Sequence, residues 1–135
     1  MKKGFTLVEI LVVIGIIGLL AVFLVPNLLG VRDRAKEAGV KGVMHTLQLA
    51  IEAYQMDNDV YPLAYNLPLE SLCRNYLMGG GYMAGVPKNP FTGQEYTDGD
   101  GAGKIIYNYD DATQTYTLTG YKKNGISKVL ELTNM

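Results

Sequence analysis

The side chain with the clearest chemical potential in this chain is a carboxylate inside an apolar run. Glu9 lies within residues 5–29, a segment that is otherwise almost wholly apolar. A charge at the centre of a bilayer costs about 2.5 to 3.5 kcal/mol on insertion scales. If the chain began at Phe5, a free α-amino group would lie one helical turn from Glu9 on the same face, and the two charges would pair in a low dielectric. The position of Glu9 therefore predicts cleavage between Gly4 and Phe5.

No group of residues is typical of a catalytic centre. His45 is the only histidine, and neither a G-x-S-x-G motif nor a pair of catalytic carboxylates accompanies it. The glycine-rich residues 79–85 lack the lysine and the strand and helix context of a phosphate-binding or dinucleotide-binding loop. The sequence therefore predicts that the chain is not an enzyme.

Two aspartates are the only candidates for a metal site. Asp98 and Asp100 resemble the opening of a calcium loop, but Ala102 stands at the third ligand position and no glutamate follows at the twelfth. We interpret the stretch as a solvated turn, with calcium at Asp98 and Asp100 as the alternative, and predict no other cofactor. The single cysteine, Cys73, excludes an internal disulfide and a multi-cysteine metal site, and we expect it to be a small buried hydrophobe.

The charge distribution argues against nucleic acid as a partner. The formal net charge is −1, and the basic residues form no block larger than the cluster of Arg32, Arg34 and Lys36. Proteins that bind nucleic acid through its phosphates present a basic patch or stripe. We therefore predict no specific nucleic-acid partner.

The element that carries Glu9 is a helix long enough to cross a membrane. The apolar run holds about 25 residues, or about 37 Å of helix, against a hydrocarbon core of about 30 Å. Basic residues flank it on both sides, so the positive-inside rule does not decide its orientation. The Tyr-rich and Asn-rich segments that follow suit an extracytoplasmic location.

Three ordinary explanations of the apolar run compete. A secretory signal has an apolar region of about 7 to 15 residues and an A-x-A-like site, whereas this run is longer and reads LLAVFLVPN around Ala21. A buried core helix would need more protein around it than about 100 further residues provide. A plain signal anchor stays open, although Glu9 disfavours it.

The middle of this helix contains residues that weaken it. Glycine costs about 1 kcal/mol and proline about 3 kcal/mol in a helix interior, and the segment holds Gly15, Gly18 and Pro26. One interpretation is close helix packing in the membrane, where small residues and proline are tolerated. The other is a flexible segment that unwinds or stretches when the helix leaves lipid for a protein filament.

A family resemblance becomes specific at these residues. The motif GFTLVE at residues 4–9, behind a short basic leader and ahead of an apolar run ending at Pro26, closely resembles the class III signal of type IV pilins and type II secretion pseudopilins. The resemblance implies that a prepilin peptidase cleaves after Gly4 and that the new N-terminal Phe5 is N-methylated. It also implies that Glu9 registers an incoming subunit by pairing with the Phe5 amine of a neighbour.

The loop at residues 86–96 is similar to the proline, aromatic and glycine loop of the short major pseudopilins. Asn89 and Phe91 stand where an aspartate and a tryptophan are usual in that family, and this difference leaves the subfamily open.

The apolar helix is predicted to continue into a soluble domain. Val40, Met44 or Val43, Leu47, Ile51 and Tyr54 recur at steps of three and four residues, which is the signature of one apolar face. The opposite face, which we expect to point to solvent or to a filament neighbour, carries Arg34, Lys41, His45, Gln48, Glu52 and Gln55. Turn residues after Asn58 end the helix.

The rest of the chain is predicted to form a short helix and three strands. Residues 68–77 have helical spacing, and residues 104–109, 115–121 and 127–132 are rich in strand formers. An antiparallel sheet of three strands, packed on the second half of the long helix, gives an α+β architecture of the type IV pilin fold. The predicted division is a leader at residues 1–4, a transmembrane and filament-core helix at 5–29, and a soluble pilin-like domain at 30–135.

The resemblance implies a structural function. The chain would wait as a single-pass protein in the inner membrane and polymerise, after cleavage and methylation, into a helical type IV pilus-like filament of identical subunits. Its partners would be prepilin peptidase and an assembly platform in the membrane driven by a cytoplasmic ATPase. The alternatives are a major pseudopilin of a periplasmic type II secretion pseudopilus and, from a different class, a monomeric membrane-anchored binding module.

Overall fold

The computed structural model describes residues 2–134 as two compact units, one up to Arg34 and one from Ala35 onwards. Met1, the first residue of the predicted leader, lies outside the described residues. Because the two units are separately compact, each is described by itself below.

The first unit is the apolar part of a long helix, α1, which runs over Leu7–Asn58. Its large apolar side chains are exposed, from 51% at Ile10 to 77% at Leu7. By length and composition this helix can cross a membrane. Pro26 lies inside α1 without ending it, as proline does in membrane helices whose neighbours compensate the lost hydrogen bond.

In the second unit, α1 ends at Asn58, as the turn residues predicted. Asp59 follows with a left-handed φ of 61°, and its backbone N–H donates to the Gln55 carbonyl at 2.8 Å. The Asn58 side chain donates to the Tyr54 carbonyl at 2.9 Å. These bonds satisfy two of the last helical carbonyls, so the helix stops without leaving them unpaired.

The sheet of the second unit has four antiparallel strands in the order β1-β2-β3-β4. Strands β2 (Ile105–Asp110), β3 (Thr115–Tyr121) and β4 (Lys128–Thr133) confirm the three predicted strands within one residue at each end. The prediction of three strands was one short, because β1 (Leu67–Pro68) pairs with Tyr107 and Ile106 of β2. A two-residue strand is too short to show the period of two by which strands are recognised.

One side-chain and one backbone hydrogen bond beside β1 hold this segment against the sheet. Asn66 has a left-handed φ of 48°, and its N–H donates to Asn108 Oδ1 at 2.6 Å. Just before it, the Ala64 carbonyl accepts from the Tyr109 N–H at 2.9 Å. The outer edge of β2 is therefore covered rather than open to another strand.

The core lies between the second half of α1 and the sheet. Val40, Met44, Leu47 and Ile51 are fully buried, which confirms the predicted apolar face. Fully buried partners across the interface include Leu72, Leu77, Tyr107, Tyr116 and Leu118. At Gly120 the strand approaches the helix so closely that an added Cβ would overlap Met44 Sδ.

One prediction for the polar face of α1 was wrong. Gln48 and Glu52 are half-buried rather than solvent-facing, because tyrosines and the C-terminal strand cover them, and Gln55 is half-buried as well. Tyr116 donates to Glu52 Oε1 and Tyr61 to Oε2, both at 2.9 Å, while Gln48 donates to the Thr133 carbonyl at 2.8 Å. Tyr61 and Tyr116 also pack edge to face, with ring centroids 4.9 Å apart.

The predicted helix at residues 68–77 is shorter and less regular than expected. Pro68 belongs to β1 and forms the N-cap of α2 (Leu69–Leu72), which continues directly into a π-helical turn at Cys73–Leu77. The fixed φ of proline suits both an edge strand and the first turn of a helix. The spacing of apolar residues therefore could not show that Pro68 belongs to the strand. Cys73 is fully buried, as predicted.

A buried asparagine organises the loop that joins the short helix to β2. Asn89 is fully buried, and its Nδ2 donates to Asp100 Oδ2 at 3.0 Å and to the Ala102 carbonyl at 2.9 Å. Its Oδ1 accepts from the Phe91 N–H at 3.0 Å. The Asn89 side chain thus donates two hydrogen bonds and accepts one, all with residues of this loop.

Candidate functional site

The first turn of α1 is closed by a reciprocal pair of side chains. Glu9 Oε2 accepts from the Thr6 backbone N–H at 2.8 Å and from the Thr6 hydroxyl at 3.0 Å. In return, Thr6 Oγ1 accepts from the Glu9 backbone N–H at 3.2 Å. Since α1 begins at Leu7, Thr6 is the N-cap and Glu9 the third helical residue, which is the arrangement of a capping box.

The capping box is a role of Glu9 that the sequence analysis missed. The signal was present, because Thr at one position and Glu three residues later, ahead of an apolar run, is the pattern of a helix start. The carboxylate also lies at the positive end of the helix dipole, where an anion gains about 0.3 to 1 kcal/mol. Glu9 therefore has a local structural reason in addition to the predicted charge pairing.

The pairing geometry leaves one carboxylate oxygen of Glu9 uncommitted. Both bonds from Thr6 go to Oε2, and Oε1 accepts no hydrogen bond from residues 2–134. Gly4 and Phe5 precede the helix outside regular structure, and the Phe5 side chain is 84% exposed. The predicted cleavage site and the free oxygen of Glu9 thus lie on one accessible segment.

The three predicted flexibility residues lie on the helix itself. Gly15 and Gly18 belong to α1, and a Cβ added at either would meet nothing within 4 Å. No packing contact within the described chain therefore explains these glycines. Pro26 lies farther along the same apolar surface.

Known proteins are similar to this chain both in the N-terminal segment and beyond it. Residues 1–25 match the family model described as the prokaryotic N-terminal methylation motif. Type II secretion system core protein G of Vibrio cholerae serotype O1 is 41% identical over 103 residues, which cover 70% of this chain and 68% of that protein. The protein of the same name in Klebsiella pneumoniae is 38% identical over 103 residues, or 70% of this chain and 72% of that protein.

The chain belongs to the type IV pilin and pseudopilin superfamily. Type IV wide pilus major component PilA4 of Thermus thermophilus is also similar, with 48% identity over 59 residues, 44% of this chain and 45% of that protein. No solved structure gave a significant match. Membership confirms the predicted family, and it makes this pilin-like chain a structural filament subunit and not an enzyme.

In this pilin-like fold, the two candidate calcium ligands are engaged by the protein. Asp98 accepts from the Ser71 N–H at 3.1 Å and from the Ser71 hydroxyl at 2.6 Å. Asp100 accepts from Asn89, and also from the Thr97 N–H at 3.1 Å and the Thr97 hydroxyl at 2.9 Å. Among residues 2–134, no three His, Cys, Asp or Glu side chains form a group that could hold a metal ion. The geometry thus assigns both aspartates to loop structure.

The histidine and the cysteine of the subunit are not placed for catalysis. His45 is exposed on α1, as predicted. Burial raises the pKa of the Cys73 thiol to about 12, although the nearby charge of Arg74 acts in the opposite direction. A thiol with so high a pKa is a poor nucleophile at neutral pH.

Proposed function

We propose that this chain is the major subunit of a type II secretion pseudopilus. The observation that carries the proposal is coverage: the proteins named type II secretion system core protein G in Vibrio cholerae and Klebsiella pneumoniae align with 70% of this chain, which is more than its apolar helix. The pilus component PilA4 aligns with 44%. Pseudopilins and pilins share the N-terminal signal, so similarity in the soluble domain distinguishes a pseudopilus subunit from a pilus subunit better than similarity in that signal.

Processing would convert the precursor into a subunit that can assemble. We propose that prepilin peptidase cleaves the leader, residues 1–4, after Gly4 and that the new Phe5 amine is N-methylated. A secondary amine formed in this way stays protonated near neutral pH, so methylation keeps the charge that Glu9 would bind. The exposed, non-helical segment ahead of α1 gives a peptidase access to the bond.

Assembly would use the free oxygen of Glu9. The Phe5 amine of a neighbouring subunit would donate to Oε1 while Thr6 keeps Oε2, so pairing between subunits would not require the capping box to open. An ion pair in a low dielectric is strong when both charges keep their hydrogen bonds, and the Thr6 bonds provide part of that support. Glu9 would therefore set the register of the incoming subunit.

The apolar helix would pass from the membrane to the filament core without contact with water. Residues 5–29 would lie in the inner membrane first and then in the filament core, where helices pack by close contact. Gly15, Gly18 and Pro26 would let this segment stretch during the transfer. The soluble domain, residues 30–135, would lie in the periplasm, and a platform membrane protein with a cytoplasmic ATPase would lift each subunit.

A deletion strain of the source organism tests this function. The strain is complemented with the wild-type chain or with Glu9→Val, and the secreted proteins, the surface filaments and the N-terminal mass of the subunit are measured. Loss of protein secretion with unchanged surface filaments supports the pseudopilus. A subunit that retains Met1 and stays monomeric would instead identify a membrane-anchored binding module.

The second candidate is a surface type IV pilus, which the 48% identity to PilA4 favours. In that case the deletion strain would lose filaments from its surface and keep its secreted proteins. Electron microscopy of sheared surface material separates the two candidates, because periplasmic pseudopili are not recovered by shearing.

A further inference from the structure

The outer face of the sheet, which points away from α1, carries a polar concavity. Alternate residues of β3 and the consecutive residues 108–110 of β2 line it, and Asn108 lies directly opposite Thr117 in the strand register. The concavity has a volume of about 470 Å³.

One wall of this concavity is an aromatic ring without a partner. The Tyr65 side chain is 83% exposed, and it makes no hydrogen bond, ion pair or ring contact with residues 2–134. The next residue, Asn66, is left-handed and bound through its N–H to the side chain of Asn108. The backbone that presents the ring is therefore tied to the floor of the concavity.

The lining combines this ring with neutral hydrogen-bonding groups. Thr117 contributes a hydroxyl, Asn108 an amide and Tyr121 a phenol. A sugar ring has an apolar C–H face that packs on an aromatic ring, and a rim of hydroxyls that both donate and accept hydrogen bonds. Tyr, Asn and Thr side chains together match both features.

The acidic side chains at the rim of the concavity argue against a negatively charged sugar as the ligand. Glu131 is paired with Lys128, so its charge and that of the lysine largely cancel. Asp110 and Asp111 also line the concavity and leave the rim acidic. An anionic polysaccharide would be repelled, whereas a neutral or amino sugar would not.

A second concavity shares Tyr121 with the first. It has a volume of about 290 Å³. The Lys104 ammonium lies 4.8 Å from the centre of the Tyr121 ring, at the junction between them. The two concavities, together called the groove, share a wall residue and offer neighbouring subsites, which suits an oligomeric ligand better than a single ring.

We propose that the outer sheet face, between Tyr65 and Tyr121, binds a neutral or amino oligosaccharide. Tyr65 stacks on one sugar ring, and Thr117 and Asn108 hydrogen-bond to its hydroxyls. Neither the processing site nor the proposed filament contacts of the N-terminal helix are needed for this binding.

The test is a binding titration on the full chain, solubilised in a zwitterionic detergent that has no sugar headgroup. The probes are end-labelled cellohexaose, chitohexaose and hexagalacturonate, followed by fluorescence anisotropy. A labelled extended hexapeptide is titrated in parallel. The variants are Tyr65→Ala, Tyr65→Phe and Thr117→Val, with Met56→Ala as control, because Met56 is 78% exposed on α1 and away from the groove.

We expect cellohexaose or chitohexaose to bind and hexagalacturonate to bind at least about tenfold more weakly. Tyr65→Ala should weaken binding about fivefold to tenfold, since stacking on an aromatic ring contributes in that range, and Tyr65→Phe should restore it. Met56→Ala should leave binding unchanged. Because Tyr65 is exposed, its removal does not threaten the fold.

Three results would overturn the proposal. The first is that neither neutral hexasaccharide binds. The second is binding that Tyr65→Ala leaves intact or that hexagalacturonate matches. The third is tighter binding of the peptide, which would make the groove a protein-docking surface.

Discussion

The carboxylate of Glu9 and the hydroxyl of Thr6 cap the same helix turn reciprocally, with each side chain accepting a hydrogen bond from the other residue's backbone N–H. This relationship gives Glu9 two separable properties. Its shape and its acceptor oxygen close the helix, while its charge is free to attract an amine. Substitutions that keep one property and remove the other can therefore distinguish them.

We predict that Glu9→Gln abolishes filament assembly although it preserves the capping box. Glutamine at this position still accepts a hydrogen bond from the Thr6 N–H, so the helix start persists. It lacks the charge that would pair with a neighbour's Phe5 amine. The measurement is the amount of polymerised subunit in isolated cell envelopes, detected after chemical crosslinking and normalised to the total membrane-bound subunit.

Glu9→Val removes both properties and serves as the comparison. If Glu9→Gln assembles normally and Glu9→Val does not, capping rather than charge is the property that assembly needs. The register hypothesis would then be wrong.

We predict that Gly39→Ala destabilises the second unit by up to about 2 kcal/mol, because overpacking costs about 1 to 3 kcal/mol and the helix gains up to about 1 kcal/mol from alanine. A Cβ at Gly39 would lie 2.8 Å from Pro90 Cγ, so the loop around Asn89 would have to move. Urea unfolding of the detergent-solubilised chain, followed by near-ultraviolet circular dichroism, measures the change.

Gly42→Ala is the matched control, three residues along the same helix. A Cβ there meets nothing within 4 Å, so alanine should stabilise the helix by up to about 1 kcal/mol. Equal changes in stability for the two substitutions would show that a Cβ at residue 39 does not clash with Pro90.

We predict that Gly120→Ala and Met44→Ala are energetically coupled. Alanine at residue 120 would collide with the buried Met44 side chain and lie 3.2 Å from Val40 Cγ1, which should cost about 1 to 3 kcal/mol. Truncating Met44 removes that collision, so the double variant should be more stable than the sum of the single effects by at least about 0.5 kcal/mol. A double-mutant cycle from urea unfolding gives this term, and additive effects would contradict the close approach of β3 to α1.

We predict that Cys73 stabilises the fold only while its thiol is protonated. Its folded pKa is raised by burial from about 9 to about 12. The stability that the protonated thiol contributes is therefore fully present below about pH 9 and is lost as the pH rises towards 12. By linkage, the folded state should lose about 1 kcal/mol of stability from this group between pH 8.5 and 10.

Urea midpoints of the wild type and of Cys73→Ala between pH 7 and 10 measure this effect. The wild type should lose stability more steeply above pH 8.5 than the variant. Identical slopes would show that the Cys73 thiol does not titrate differently in the folded and unfolded chains. A direct check is alkylation at pH 8, which should be slow until urea unfolds the domain.

Local patterns were sufficient to predict much of this subunit. The apolar run of residues 5–29, the repeating apolar positions from Val40 to Ile51 and the turn after Asn58 each depend on neighbours in the sequence. The three longer strands were recognised for the same reason, because each has enough residues to reveal its composition. The buried role of Cys73 followed from its place on a short apolar face.

Other features depend on residues that are distant in the chain. Strand β1 exists because Asn108, 42 residues away, binds the N–H of Asn66. Glu52 is half-buried because Tyr116, 64 residues away, donates to it, although its helical position alone suggested solvent. In the candidate site, the sequence alone suggested roles for Gly4, Phe5 and Glu9, which stay predictions, since a charge in an apolar run can be recognised without a structure. Only the tertiary structure decided that Asp98 and Asp100 hold loops and that Tyr65 borders a groove, because such contacts form when distant segments meet.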